Sequence, residues 1–169
     1  TQTATWNDFN NDGWVDLFIG NESVVAAFAT ETHPCELYIN NGDGTFREVA
    51  KEANCDVLAY VKGVTSGDYD NDGWQDIFIS TMIGERKLLR NLGNVRDGQV
   101  LFEDVSAKAG INKEESRTFP TWFWDFDNDG WLDIFACDYT FEKSLGTYAA
   151  AEKLGLPDEM EKMLLYRNN

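Results

Sequence analysis

The chain has 169 residues, 43% of them hydrophobic and 26% charged, and carries a formal charge of −16 from 30 acids against 14 bases. That suits one folded unit with a core of its own, and no apolar run reaches the roughly 18 residues of a membrane span. Phosphate binding needs a basic surface, and the lysines and arginines do not cluster, so nucleic acid is excluded as a partner.

Taken in chain order, the first distinctive segment is Asp8-Phe-Asn-Asn-Asp-Gly-Trp-Val-Asp16, followed by the apolar run Leu17-Phe-Ile. A second block comes next, Glu36-Leu-Tyr-Ile-Asn-Asn-Gly-Asp-Gly-Thr-Phe-Arg-Glu-Val49, in which Asn-Gly and Asp-Gly between β-prone runs signal a hairpin. The first segment recurs as Asp68 to Asp76 and as Asp125 to Asp133, starting 60 and 57 residues further along. The hairpin block recurs with a gap as Leu88 to Asn94 and Leu101 to Val105, and again as Leu165 to Asn169.

Each unit therefore reads as four short antiparallel strands, expected in the second unit near 62–67, 76–81, 87–91 and 100–105. Four strands in about 57 to 60 residues, repeated in tandem, is the size of a β-propeller blade. The apolar runs lack clean alternation, as in a sheet covered on both faces. The expected class is all-β, with three blades over 1–60, 61–117 and 118–169, the last lacking its fourth strand. Propellers close with about four to eight blades, so the chain is expected to be part of a larger one.

Eleven of the 30 acids fall in the three repeated loops. Carboxylates at positions 1, 3, 5 and 9 of a nine-residue loop repel one another unless a hard cation sits among them. The expected ligands are the side chains of Asp68, Asp70, Asp72 and Asp76 with the carbonyl of Trp74, and those of Asp125, Asp127, Asp129 and Asp133 with the carbonyl of Trp131. The first loop offers Asp8, Asn10, Asp12 and Asp16 with the carbonyl of Trp14; Asn10 replaces a carboxylate, which predicts the weakest of three Ca²⁺ sites. Gly13, Gly73 and Gly130 allow the sharp turn, and Asn11, Asn71 and Asn128 tolerate left-handed backbone. Mg²⁺ fits less well, since it holds to strict octahedral geometry and retains waters. An EF-hand needs Glu at position 12, where this chain has Ile19, Ile79 or Ala136.

Cys35, Cys55 and Cys137 show no zinc spacing and are expected first as buried free thiols, with one disulfide plus a free thiol as the alternative; His33, the one histidine, lies outside the loops and reads as a surface residue. The inserts 21–34 and 138–162 both follow a second strand, so they share the face opposite the calcium loops. The later one reads as one or two helices over about 140–163, with Met160, Met163 and Leu164 expected to dock on the propeller face. Trp122 and Trp124 are expected to pack within the sheet ahead of stacking on carbohydrate.

The sequence DxDxDGxxD, an apolar strand, then LYxNNGDGTFxxV resembles the FG-GAP and VCBS repeats of integrin α-subunit propellers and of proteins with an ASPIC/UnbV region. The resemblance implies a propeller, commonly of seven blades, with Ca²⁺ in the loops just named, in a secreted (extracellular or periplasmic) parent whose other blades complete the ring. Asn10, Leu92 in place of Asn, and the insert before Leu165 depart from the pattern. An adhesion or recognition module for a protein or carbohydrate ligand is the leading expectation, because no nucleophile, base or phosphate loop is evident; the alternative is part of a secreted lyase or hydrolase.

Overall fold

In a computed structural model, residues 1–23, 32–96, 99–112, 117–138, 145–155 and 163–169 are described. Strands β1 (Thr3–Asn7), β2 (Asp16–Gly20), β3 (Glu36–Asn40) and β4 (Phe46–Glu48) form one antiparallel sheet in that order. The second sheet is β5 (Val61–Gly67), β6 (Asp76–Thr81), β7 (Lys87–Arg96) and β8 (Gln99–Asp104), within a few residues of the expected strands. A helical turn, α1 (Ser106–Ala109), ends at Gly110 in left-handed conformation (φ 69°). The third sheet has three strands, with β10 (Asp133–Asp138) between β9 (Thr118–Trp124) and β11 (Leu164–Tyr166). Helix α2 (Leu145–Leu154) lies in the second insert.

The sheets stack through their first strands, β1 against β5 and β5 against β9, as propeller blades do around an axis. Glycine makes that approach possible: a Cβ on Gly63 would lie 2.4 Å from the Phe119 carbonyl oxygen, and one on Gly20 would lie 2.6 Å from Val61 Cγ1. Two cores result. Phe9, Phe18, Leu37, Ile77, Ile79 and Phe102 belong to the one between the first two blades. Phe78, Leu88, Ile111, Ile134 and Leu164 belong to the one between the second and third.

Burial along each strand follows from how many faces are covered. Every residue of β6 is buried, since Ile77 and Ile79 point to one core and Phe78 to the other. Strand β2 instead alternates, and β9 exposes Pro120, Trp122 and Trp124, because the outer faces of the first and third blades carry no neighbour among the described residues. Trp6 is 58% exposed and Trp124 54%. The lack of alternation expected for all three blades thus holds in full for the middle one. Trp122 stacks on Phe135 with ring centroids 4.5 Å apart.

Three expectations for single residues need correction or limits. Met163 is 66% exposed and does not dock; Leu164 is buried, as a strand residue of β11, and Met160 lies outside the described residues. Cys35 and Cys55 are buried free thiols, but Cys137 is only partly buried. His33 is exposed. Turn α1 was not legible as a helix, four residues being too few to show a period.

Candidate metal centre

The three acidic loops join β1 to β2, β5 to β6 and β9 to β10, and so emerge at one end of the blades. Their backbones are near copies. Asn11, Asn71 and Asn128 have φ of 54°, 56° and 57°, and Gly13, Gly73 and Gly130 have φ of 90°, 90° and 91°. The expected left-handed positions are therefore occupied by the two residue types that adopt them most readily.

Within each loop the acids hold the turn through main-chain donors. Asp68 accepts the N–H of Asp72 at 3.0 Å and of Gly73 at 2.9 Å, and Asp72 accepts that of Trp74 at 3.0 Å. Asp8 with Asp12, and Asp125 with Asp129, repeat the pattern. At position 9, Asp76 accepts the N–H of Tyr69 at 3.0 Å and of Asn91 at 2.7 Å; Asp16 does the same from Phe9 and Asn40, and Asp133 from Phe126 and Asn168. Asp16, Asp76 and Asp133 are buried, so each ties the loop to strand three of its own blade. Burial outweighs the two N–H donors and pushes the Asp76 carboxyl up to about 7, and it raises Asp16 as well.

The donor set fits a hard cation. Carboxylate oxygens of Asp68, Asp70 and Asp72 lie within 4.8 Å of one another, as do those of Asp125, Asp127 and Asp133. With Ca²⁺–oxygen bonds of roughly 2.3 to 2.6 Å, oxygens at such separations can share one ion. One acceptor also lacks a partner: Asp70 Oδ1 is buried and makes no hydrogen bond. Burial, and next the neighbouring Asp72, raises the Asp70 carboxyl above its ordinary range.

Residues outside the loops complete the picture. Arg90 approaches Asp70 Oδ2 through Nε at 2.6 Å and Asp72 Oδ2 through Nη2 at 2.9 Å; Arg167 Nη2 lies 2.8 Å from Asp127 Oδ2 and 3.4 Å from Asp129 Oδ2. The side-chain amide of Asn91 donates to Phe9 O of the preceding blade at 2.9 Å, and that of Asn168 to Tyr69 O at 2.6 Å. Sequence reading missed these roles. The signal was present in the repeated Leu-Tyr-Ile-Asn40, Leu-Leu-Arg-Asn91 and Leu-Tyr-Arg-Asn168, where Arg and Ile exchange at one register position.

Residues 8–79 and 68–136 match the FG-GAP-like repeat. The chain belongs to the FG-GAP-like repeat family. It is 32% identical over 130 residues to cartilage acidic protein 1 of Homo sapiens, covering 76% of this chain and 18% of that protein. The Xenopus tropicalis protein of the same name is 30% identical over 126 residues, covering 74% and 18%. The chain thus spans about a fifth of the length of these relatives. No helix among the described residues is long and apolar enough to cross a membrane.

Proposed function

We propose that this FG-GAP repeat module binds Ca²⁺ in its three acidic loops and uses the ions to hold a non-catalytic recognition scaffold in shape. The buried, unpartnered Asp70 Oδ1 within a cluster of carboxylate oxygens carries the reading, since such an acceptor is open to coordinate a cation. The ligands are Asp8, Asn10, Asp12 and Asp16 with the carbonyl of Trp14; Asp68, Asp70, Asp72 and Asp76 with that of Trp74; and Asp125, Asp127, Asp129 and Asp133 with that of Trp131. By carboxylate count alone the first loop ranks weakest.

Loops of this class at extracellular strength bind in roughly the 10⁻⁴ to 10⁻³ M range, which favours an extracellular or periplasmic setting. The end of the blades opposite the loops, where the insert carrying α2 emerges, is the side offered to a protein or carbohydrate ligand in adhesion or recognition. Thermal melting of the full chain with millimolar Ca²⁺ and with EDTA tests the metal reading, because an ion bound only by the native state must raise stability. A higher melting temperature in Ca²⁺ is expected; identical curves would refute it.

A further inference from the structure

Main-chain hydrogen bonds align the three blades independently of sequence similarity. Asn40, Asn91 and Asn168 each donate their N–H to the position-9 aspartate of their own loop, at 2.8, 2.7 and 2.8 Å. The residue just before each is therefore equivalent: Ile39 in the first blade, Arg90 in the second and Arg167 in the third. Ile39 is buried in the core between the first two blades. Arg90 and Arg167 instead turn to the acids at positions 3 and 5 of their loops.

The arginines occur only in the blades whose loop has Asp at position 3. In the first loop that position is Asn10, and its Nδ2 donates at 2.9 Å to Asp12 Oδ2. The equivalent oxygens, Asp72 Oδ2 and Asp129 Oδ2, are the ones the arginines contact. A neutral amide in one loop and a guanidinium in two others thus take the same carboxylate oxygen. Three carboxylates in the first loop, and four less one guanidinium in the others, leave a formal charge of −3 at every loop.

We propose that Arg90 and Arg167 are internal counter-ions that compete with the bound cation for Asp70 with Asp72 and for Asp127 with Asp129, lowering the affinity of the second and third loops to about that of the first. This rests on the Ca²⁺ reading above. An ion entering either loop must draw these carboxylate oxygens inward and release the guanidinium, or bind beside its positive charge; both weaken binding. A unit charge about 6 Å from a divalent ion opposes it by about 1.4 kcal/mol even at the dielectric constant of water, an affinity change of about tenfold. Without the arginines, the four-carboxylate loops bind more tightly than the first loop, and the ranking by carboxylate count applies. With them, the three loops titrate together.

The test is calorimetric titration of the full chain with Ca²⁺, backed by Tb³⁺ luminescence sensitised by Trp14, Trp74 and Trp131 at position 7 of each loop. Arg90→Ile places in the second blade the residue that the first already uses, and Arg90→Gln removes the charge while keeping a polar side chain. Both are expected to raise the affinity of one site about tenfold and leave the others unchanged, and Arg167→Gln to do so at another site. Unchanged or weakened binding in Arg90→Gln, with the wild type still binding three ions, would overturn the counter-ion role and leave the Ca²⁺ reading intact. No Ca²⁺ heat and no Tb³⁺ signal from wild type or variants would overturn both.

Discussion

The side-chain amide of Asn11 donates a 2.9 Å hydrogen bond to the main-chain carbonyl of Gly73, linking position 4 of one acidic loop to position 6 of the next. Asn71 repeats the bond to Gly130 at 3.0 Å. Asn91 and Asn168 bond back to Phe9 and Tyr69, so the first and second loops are each also tied to the third-strand region of the following blade. Asn71→Gly keeps a residue suited to φ 56° and removes only the strut. One hydrogen bond contributes about 0.5 to 1.5 kcal/mol, so a fall in melting temperature of roughly 1 to 6 °C is expected in a thermal scan. No fall would mean that the strut contributes nothing.

Asp76 and Asp70, both assigned as ligands, are expected to differ in what they contribute to stability without the ion. Both oxygens of Asp76 accept buried main-chain N–H groups, and Asn has one acceptor to offer them. Asp76→Asn should destabilise by about 1 to 3 kcal/mol in EDTA, measured by denaturant unfolding. Asp70, with one oxygen unpartnered and the other in a part-exposed ion pair, should tolerate Asn in EDTA within about 1 kcal/mol while losing Ca²⁺ affinity. Equal losses for the two variants in EDTA would contradict this division.

Packing between the blades is tightest at Gly63. A methyl there meets the Phe119 carbonyl oxygen at 2.4 Å, a main-chain atom that cannot rotate away, and also disturbs the Ser80 hydroxyl that donates to that oxygen at 2.5 Å. Gly63→Ala is expected to cost about 1 to 3 kcal/mol by forcing β5 and β9 apart. Urea unfolding of the variant checks it; wild-type stability would show that the strands adjust freely.

Thiol chemistry should distinguish the cysteines. Burial pushes the Cys35 thiol up to about 11 and holds Cys55 well above its ordinary value, whereas Cys137 is only partly buried and raised less. A chromogenic disulfide reagent at pH 8 should react with one thiol per native chain and with three after unfolding. Fast native reaction of all three would show that the first core opens readily.

The repeat, the strand boundaries, the acidic pattern of the loops and the left-handed Asn and Gly positions were legible in the sequence because each is local. A turn of nine residues, or a strand of five, is encoded by neighbours whose spacing is fixed by the chain itself. Tertiary structure alone decided which faces are covered, and so why β6 is buried throughout while β2 alternates. It also brought Arg90 to Asp70 and Asp72, and Asn11 to Gly73, across 18 to 62 residues of chain. Those pairings follow from strand register and from the stacking of one blade on the next, which spacing along a single chain does not specify. The acids of each loop were evident from the sequence; the arginines that offset the fourth acid emerged only when strand three lay beside the loop.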